Sequence, residues 1–272
     1  MNKKKRIELR EKIKSIFADL YFDEETHFYG LKSDENYRFK KSVSKLAEDV
    51  KEKFDEEYWL TKKSEEKHLV DQSKSLEQHK AELKEEWREN RDTASIRGTE
   101  IHKELEEYTQ DNRRKASDVT KRINKWFISN GYLLIANELR VYDKDSGISG
   151  TLDVLAYNIN DKSFHILDFK TNRRKLIEKV ETYIDKKTGK KKKSRFMLKA
   201  PFNNYPQSKY YEYSIQLSGY KYILEKHTDI KIKSIILIQI SDILFPEEGF
   251  KIIPAEMMKV DFLFENKQNL PW

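Results

Sequence analysis

Residues 132–171 read YLLIANELRVYDKDSGISGTLDVLAYNINDKSFHILDFKT. This stretch contains three apolar runs, at 132–142, 148–158 and 163–171, which are separated by two short clusters of turn-forming residues. Apolar runs of this length joined by such turns are typical of neighbouring antiparallel strands. The stretch therefore predicts a three-stranded antiparallel meander.

Helical patterns flank the meander. Apolar residues recur at helical spacing in two segments between 85 and 127, and again from 210 to 226. The most apolar run of the chain, IKIKSIILIQIS at 230–241, predicts a further strand. A short strand at 251–253 and a helix after Pro254 are expected to follow it. Helix, meander, helix and strand together predict an α/β fold with a mixed sheet.

The 272 residues suffice for one medium domain with an appendage. Residues 1–95 are rich in Lys and Glu and carry helical patterning, so we expect a helical region there that packs on the core. A short hairpin is expected within 27–46, before a helix that starts near Ser42 or Ser44. We expect the core to span 96–272 and to carry a basic insertion at about 180–205.

Composition excludes several classes of site. The chain has no cysteine, which rules out disulfides, thiolate zinc sites, iron–sulfur clusters and cysteine nucleophiles. Any metal must therefore be held by oxygen or imidazole ligands. No apolar run approaches the roughly 18 residues that a membrane-spanning helix needs. No signal-type apolar segment follows Met1 either, so we expect a cytoplasmic protein without membrane contact.

Two aspartates in the meander indicate chemistry. If its second turn centres on Asn160 and Asp161, the numbers of paired residues sum to 321, which places Asp153 opposite Asp168. Facing carboxylates between apolar residues repel each other, so one must bind a proton or a cation must lie between them. Strand alternation puts Lys170 on the face of Asp168. This combination suits metal-assisted phosphodiester hydrolysis; the alternative is a solvated edge hairpin with ordinary surface charges.

Four short motifs follow one another between residues 98 and 220. In chain order they are GTEIH (98–102) followed by Glu106, GTLD (150–153), DFK (168–170) and QLSGY (216–220). Together they resemble the motifs of the RecB-like branch of the PD-(D/E)XK nuclease superfamily. The layout of the chain is similar to phage-type and mitochondrial genome-maintenance-type exonucleases of that branch. Leu152 replaces the proline of the superfamily name and Asp168 replaces the commoner glutamate, and both changes keep the ligand chemistry.

The resemblance implies a restriction-endonuclease-like core and a bound Mg²⁺ or Mn²⁺. Glu138 lies where many relatives carry an acid, and the 216–220 helix matches one that supports the site and touches substrate. The positions that match metal ligands are His102, Asp153, Asp168 and the main-chain carbonyl of Phe169. The positions that match catalytic residues are Asp153, Asp168, Lys170, Gln216, Tyr220 and Glu138.

Several side chains are candidates for contact with nucleic acid. Residues 186–195 hold seven basic side chains and no acid, which equals the net charge of +7 of the whole chain. The tract is typical of a hairpin tip that meets phosphates, and equally of a solvated loop. Tyrosines crowd 205–222, where they can stack on bases or form a core-facing stripe. The candidates are Thr99, Thr171, Lys190, Lys191, Lys192, Lys193, Tyr210 and Tyr211.

These observations predict a Mg²⁺- or Mn²⁺-dependent deoxyribonuclease. We expect an exonuclease that acts on DNA ends or single strands, with recombination or replication proteins as further partners. Two alternatives are a structure-specific endonuclease and a catalytically inactive nucleic-acid-binding module of the same fold. A third is a helical interaction protein built around the charged N-terminal region, although that region lacks the sustained heptads of a coiled coil.

Overall fold

The computed structural model describes residues 1–110, 115–176, 182–184, 189–193 and 196–265. Its helices are α1 Lys3–Ile16, α2 Glu56–His68, α3 Leu76–Gln110, α4 Asp118–Ser129 and α5 Lys209–His227. The strands are β1 Leu20–Asp23, β2 Phe28–Leu31, β3 Asp34–Arg38, β4 Lys41–Ser42, β5 Tyr132–Asp143, β6 Ile148–Asn158, β7 Ser163–Lys170, β8 Thr182–Ile184, β9 Lys191–Lys193, β10 Ile232–Ile240 and β11 Phe250–Pro254. Two 3-10 helices span Val43–Asp49 and Asp261–Leu263. The expected α/β class is confirmed.

The central sheet is mixed, with the order β11-β10-β7-β6-β4, and β5 pairs with β6. Strands β5, β6 and β7 are consecutive and antiparallel, which confirms the predicted meander. Strand β10 then runs parallel to β7, and β11 returns antiparallel to β10. The crossover from β7 to its parallel neighbour β10 contains α5, as parallel pairing requires.

One edge of β6 has two partners with a gap between them. Along the edge opposite β5, residues 154–158 pair with β7, and residues 148–149 pair with β4. Among the described residues, 150–153 have no strand partner on that edge. The backbone and side chains of these four residues therefore interact with other elements, and the candidate site lies there.

Apolar clusters cover both faces of the sheet, as strands with helices on either side require. On one face, Leu155 and Ile166 belong to a cluster with α5, α1 and the 3-10 helix Val43–Asp49. On the other face, Val154 and Leu167 belong to a cluster with α3 and α4. The alternation along β6 and β7 therefore separates the two layers, and both sets of helices are held against the strands that carry the acids.

The N-terminal 95 residues combine helices with strands, and they contain more strand than the single hairpin that the sequence predicted within a helical region. Strands β1, β2 and β3 form a separate antiparallel sheet, which includes the predicted hairpin within 27–46. The expected helix after Ser42 is the 3-10 helix Val43–Asp49. Helices α2 and α3 contact each other, and α3 continues through residue 95 into the predicted core.

The predicted helix after Pro254 is wrong, because among the described residues only the turn Asp261–Leu263 is helical there. The reason is that α5 supplies alternative hydrogen-bond partners. The N–H of Glu256 donates to Ser214 Oγ at 3.2 Å, and the N–H of Met258 donates to Ser218 Oγ at 2.9 Å. These bonds hold the segment extended along α5.

The predicted basic insertion contains the hairpin of β8 and β9. Within the basic tract 186–195, residues 186–188 and 194–195 lie outside the described residues, and these include Lys186, Lys187 and Arg195. None of the helices in the described part of the chain combines the length and the apolar character that crossing a bilayer requires.

Candidate metal centre

Two aspartates lie level with each other where β6 and β7 part. The ladder pairs Leu155 with Ile166 and Val154 with Leu167, which confirms the predicted register and places Asp153 beside Asp168. The ladder ends there, and the N–H of Phe169 donates to Asp153 Oδ2 at 2.7 Å. A carboxylate thus takes the place of a backbone acceptor in the gap along β6.

A third acid comes from the neighbouring strand β5. The pairs Asn137 with Val154 and Leu139 with Leu152 place Glu138 level with Asp153. The register of β5 shifts between 134 and 136, and Glu138 has a φ of +45°, which lies in the left-handed region that residues with a Cβ rarely adopt. Such irregularities re-aim side chains near functional sites. Three adjacent strands therefore bring three carboxylates into one row.

His102 reaches this row from α3. Its Nε2 lies 3.0 Å from the carbonyl oxygen of Phe169, and because a carbonyl only accepts, Nε2 carries the proton. Its Nδ1 is then a lone-pair donor for a metal, and it lies 3.5 Å from Asp153 Oδ2. Ligand atoms of His102, Glu138 and Asp153 all lie within 4.8 Å of one another.

A cavity of about 10 Å³ lies between these side chains, with Glu106 also in its wall. That volume is about the space of one water-sized centre. Carboxylate oxygens are ligands for hard divalent cations, and an imidazole nitrogen is a common ligand of transition-metal ions. The residues present therefore fit a single divalent cation.

Without such a cation, the ionised forms of these acids are electrostatically unfavourable. Burial raises the pKa of Glu138 to about 8, and the nearby charges of Asp153, Glu106 and Asp168 contribute to the rise. Burial likewise raises the pKa of Asp168 to about 6, against the opposing effect of Lys170. A bound cation would favour the ionised forms and so lower both pKa values.

Asp168 and Lys170 form a buried ion pair beside the cluster. Asp168 is 1% exposed, and its Oδ1 has no hydrogen-bond partner among the described residues. The Nζ of Lys170 lies 2.5 Å from Asp168 Oδ2 and 4.6 Å from the centre of the Tyr213 ring. Burial acts to lower the pKa of Lys170, but Asp168 and Asp153 outweigh it and the pKa is raised. The lysine is therefore a fixed positive charge.

Helix α5 packs on the part of β6 that, among the described residues, has no strand partner on one edge. Tyr220 is buried, and its hydroxyl donates to the carbonyl of Thr151 at 2.6 Å. Gln216 is also buried and interacts with the Tyr220 hydroxyl. A Cβ at Gly150 would lie 3.0 Å from the Tyr220 ring, so the glycine permits this close approach. Burial raises the pKa of Tyr220 well above its ordinary value, which keeps the hydroxyl a neutral donor.

Two threonine candidates lie near this site. Thr99 is exposed on α3, where its Oγ1 donates to the carbonyl of Ser95 at 3.1 Å. Thr171 follows the last residue of β7, and its Oγ1 lies 3.5 Å from the position of a Cβ at Gly98. Helix α3 and the end of β7 therefore meet at these residues.

The tyrosine candidates are less accessible than the sequence suggested. Tyr210 is only 3% exposed, and its hydroxyl donates to the carbonyl of Pro254 at 3.0 Å, so it offers no ring face to a base. Packing of its ring in the apolar core disfavours a stacking contact between Tyr210 and a base. Tyr211 is half-buried and packs on Tyr205 with a ring separation of 4.9 Å. Lys190 is exposed, whereas the side chains of 191–193 lie outside the described residues.

Sequence patterns gave too little weight to two residues. Tyr213, one of the tyrosines between 205 and 222, packs on the apolar cluster, and its ring also lies beneath the Nζ of Lys170. Its place one turn before Gln216 was the available signal. Glu106 lies one turn after His102, and its negative charge contributes to the raised pKa of Glu138.

Comparison with known proteins does not assign the chain to a family. No family model matches its sequence, and no curated protein sequence matches it significantly. Function must therefore be inferred from the geometry and chemistry of the site.

Proposed function

We propose that the chain is a divalent-metal-dependent nuclease that hydrolyses phosphodiester bonds of DNA, with the core and catalytic site of the RecB-like PD-(D/E)XK branch. One observation carries the proposal, namely the grouping of His102, Glu138 and Asp153 next to the buried pair of Asp168 and Lys170. The order of meander, helix and parallel strand is consistent with that core. The preference for DNA ends or single strands, and for recombination or replication partners, rests on the resemblance of the four motifs.

The acids and the histidine would hold the cation. His102, Glu138 and Asp153 offer ligand atoms around the cavity, and Asp168, whose Oδ1 has no hydrogen-bond partner among the described residues, does not line it. When bound, Mg²⁺ or Mn²⁺ supplies charge neutralisation at the phosphate and lowers the pKa of a bound water.

Lys170 supplies a charge that needs no rearrangement during the reaction. Its ammonium is fixed between Asp168 and the Tyr213 ring, and it can orient a phosphate oxygen or a water and stabilise negative charge that develops on the phosphate. The hydrogen bond from Tyr220 to Thr151 holds the strand that carries Asp153. Hydrolysis by this arrangement requires no covalent intermediate with the protein.

The inactive binding module of the same fold is the second candidate. It is disfavoured because a site without a catalytic role gains nothing from burying Glu138 close to three other acids, where burial and then their charges raise its pKa to about 8.

The test uses end-labelled linear and circular DNA, single- and double-stranded, incubated with Mg²⁺ or Mn²⁺ and with EDTA. We expect linear DNA to be degraded only with metal and circular single strands to resist. Asp168→Asn and Lys170→Gln should each lower the rate by about 100-fold or more. Lys162→Gln is the matched control, because this exposed lysine lies at the opposite end of β7 and should leave the rate unchanged.

Calorimetric titration with Mn²⁺, taken together with the cleavage assay, separates the two candidates. An enzyme should bind Mn²⁺ and lose that binding in His102→Ala. Cleavage in EDTA, or full activity in Asp168→Asn, would refute the proposed mechanism. Binding of Mn²⁺ and DNA without cleavage of any substrate would favour the inactive module.

A further inference from the structure

A second concentration of positive charge follows the candidate site along the chain. Residues 170–175 read KTNRRK, with four cationic side chains and no acid. Lys170 is only 14% exposed, whereas Arg173, Arg174 and Lys175 are exposed. We propose that residues 172–175, the basic loop, bind phosphate groups of the nucleic-acid strand beside the reacting phosphate, and that Gln239 holds the loop in its binding conformation. The inference rests on the proposed function as a nuclease.

Gln239 fixes the backbone of the basic loop. It lies on β10 opposite Lys170 in the parallel ladder and is 0% exposed. Its Nε2 donates to the carbonyls of Asn172 at 3.1 Å and Arg174 at 2.7 Å. Its Oε1 accepts from the N–H of Leu176 at 3.0 Å. One buried amide therefore makes two hydrogen bonds to the basic loop and a third to Leu176, which follows it, and the loop has no strand partner among the described residues.

A second anchor ties the basic loop to α3. Arg173 Nη1 donates to Asn90 Oδ1 at 2.6 Å. With its backbone held on both sides, the loop gives up little conformational freedom when a ligand binds, which favours affinity.

The remaining cations of the loop are available for a ligand. Among the described residues, no hydrogen bond or ion pair engages the side chains of Arg174 and Lys175. Asp242, the acid nearest in sequence to Gln239, is paired with Arg97 of α3 at 3.6 Å and so is already compensated.

The position of the loop determines which ligand it fits. Arg174 and Lys175 follow Lys170 by four and five residues, which is at most about 18 Å of chain. Cations within that distance of Lys170 can contact the phosphates that flank the one being hydrolysed. Contacts of this kind position a strand without reading its bases, so the expected ligand is the sugar–phosphate backbone of any sequence.

The test measures binding of a fluorescein-labelled single-stranded oligonucleotide by anisotropy, in EDTA and between 50 and 200 mM salt. Arg174→Gln/Lys175→Gln removes two cations that neutralise phosphates, and this should lower the slope of log affinity against log salt by about 1.4. The corresponding decrease in affinity at 0.1 M salt is roughly 25-fold. Lys162→Gln/Lys231→Gln is the charge-matched control, since both lysines are exposed at the far ends of β7 and β10. Its slope and affinity should equal those of the wild type.

Gln239→Met tests the positioning role, because it removes the hydrogen bonds and keeps the size. We expect it to weaken oligonucleotide binding, to add little in the Arg174→Gln/Lys175→Gln background, and to leave Mn²⁺ binding unchanged. Weakened Mn²⁺ binding together with full additivity would show a general structural role and overturn the assignment of Gln239.

The outcomes distinguish the basic loop from the nuclease proposal. If the wild type cleaves DNA while Arg174→Gln/Lys175→Gln keeps wild-type affinity and salt slope, the loop does not bind phosphate and the nuclease proposal stands. If the wild type neither binds nor cleaves any nucleic acid, both proposals fail.

Discussion

Glu138→Gln should stabilise the metal-free protein, and its gain over the wild type should grow as the pH rises. Glu138 is an acid whose folded-state pKa is raised to about 8 from an ordinary value of 4.5, chiefly by burial and then by Asp153. Between these two pH values the folded protein binds more protons than the unfolded chain. Stability must therefore fall with rising pH across that window and level off above it. Glutamine has the same shape and no charge to lose, so this contribution to the pH dependence disappears.

The size of the effect follows from the pKa values. Each tenfold change in proton affinity is worth about 1.4 kcal/mol, so full ionisation of Glu138 costs roughly 5 kcal/mol, and the cost at pH 7 is roughly 3 kcal/mol. Because the side chain is half-buried, solvent screens part of this energy. We therefore expect the free energy of unfolding of Glu138→Gln to exceed that of the wild type by roughly 1.5–3 kcal/mol at pH 7, and by less than about 1 kcal/mol at pH 5.

The assay is urea unfolding in EDTA at pH values from 5 to 9, with Glu89→Gln as the control. Glu89 is an exposed acid on α3, and its replacement should leave the pH dependence of the wild type unchanged. Parallel stability curves for wild type and Glu138→Gln, or a variant less stable at pH 8, would refute the electrostatic reasoning. The same linkage predicts that Mn²⁺ affinity of the wild type rises with pH up to about 8, because the metal must displace the proton of Glu138.

Three further predictions concern other parts of the site. Lys170→Met leaves Asp168 buried without its cation and should cost about 3–5 kcal/mol in metal-free urea unfolding. Asp168→Asn/Lys170→Met should recover most of that stability, and no recovery would show that packing is the cause. Tyr220→Phe removes the hydrogen bond to Thr151 and should cost about 1–2 kcal/mol in the same measurement, so an unchanged midpoint would contradict a supporting role. Replacing Lys190–Lys193 by Gln should lower the salt slope of DNA binding by about 0.7 for each single-strand phosphate that these lysines neutralise; an unchanged slope would show that they neutralise none.

The parts of the site that were predictable depend on local rules. Alternation along two strands and a short turn set the register that places Asp153 beside Asp168, and the same alternation places Lys170 on the face of Asp168. Helical spacing likewise placed Gln216 and Tyr220 together. Each of these relations joins residues that are close along the chain.

The features that local rules do not predict have long-range causes. Tyr210 is buried because its ring packs in the apolar core, where its hydroxyl donates to the carbonyl of Pro254, 44 residues away. The segment after Pro254 is extended because serines of α5 bind its N–H groups. The three hydrogen bonds from Gln239 to the basic loop and Leu176 could not be anticipated either, since one glutamine in an apolar strand has no distinctive pattern.

The sequence by itself determined the chemistry that is available, since it contains no cysteine and offers a histidine, acids and a lysine at motif spacing. Only the tertiary structure decided which of those groups form the ion pair and which form the candidate metal site. Asp168 pairs with Lys170, whereas Glu138, on a strand with an irregular register, joins His102 and Asp153. The physical reason is that a side chain's direction depends on local backbone dihedrals, while its charge depends on burial by elements distant in the chain. The spacing of residues along the sequence therefore determines neither the direction of a side chain nor its charge.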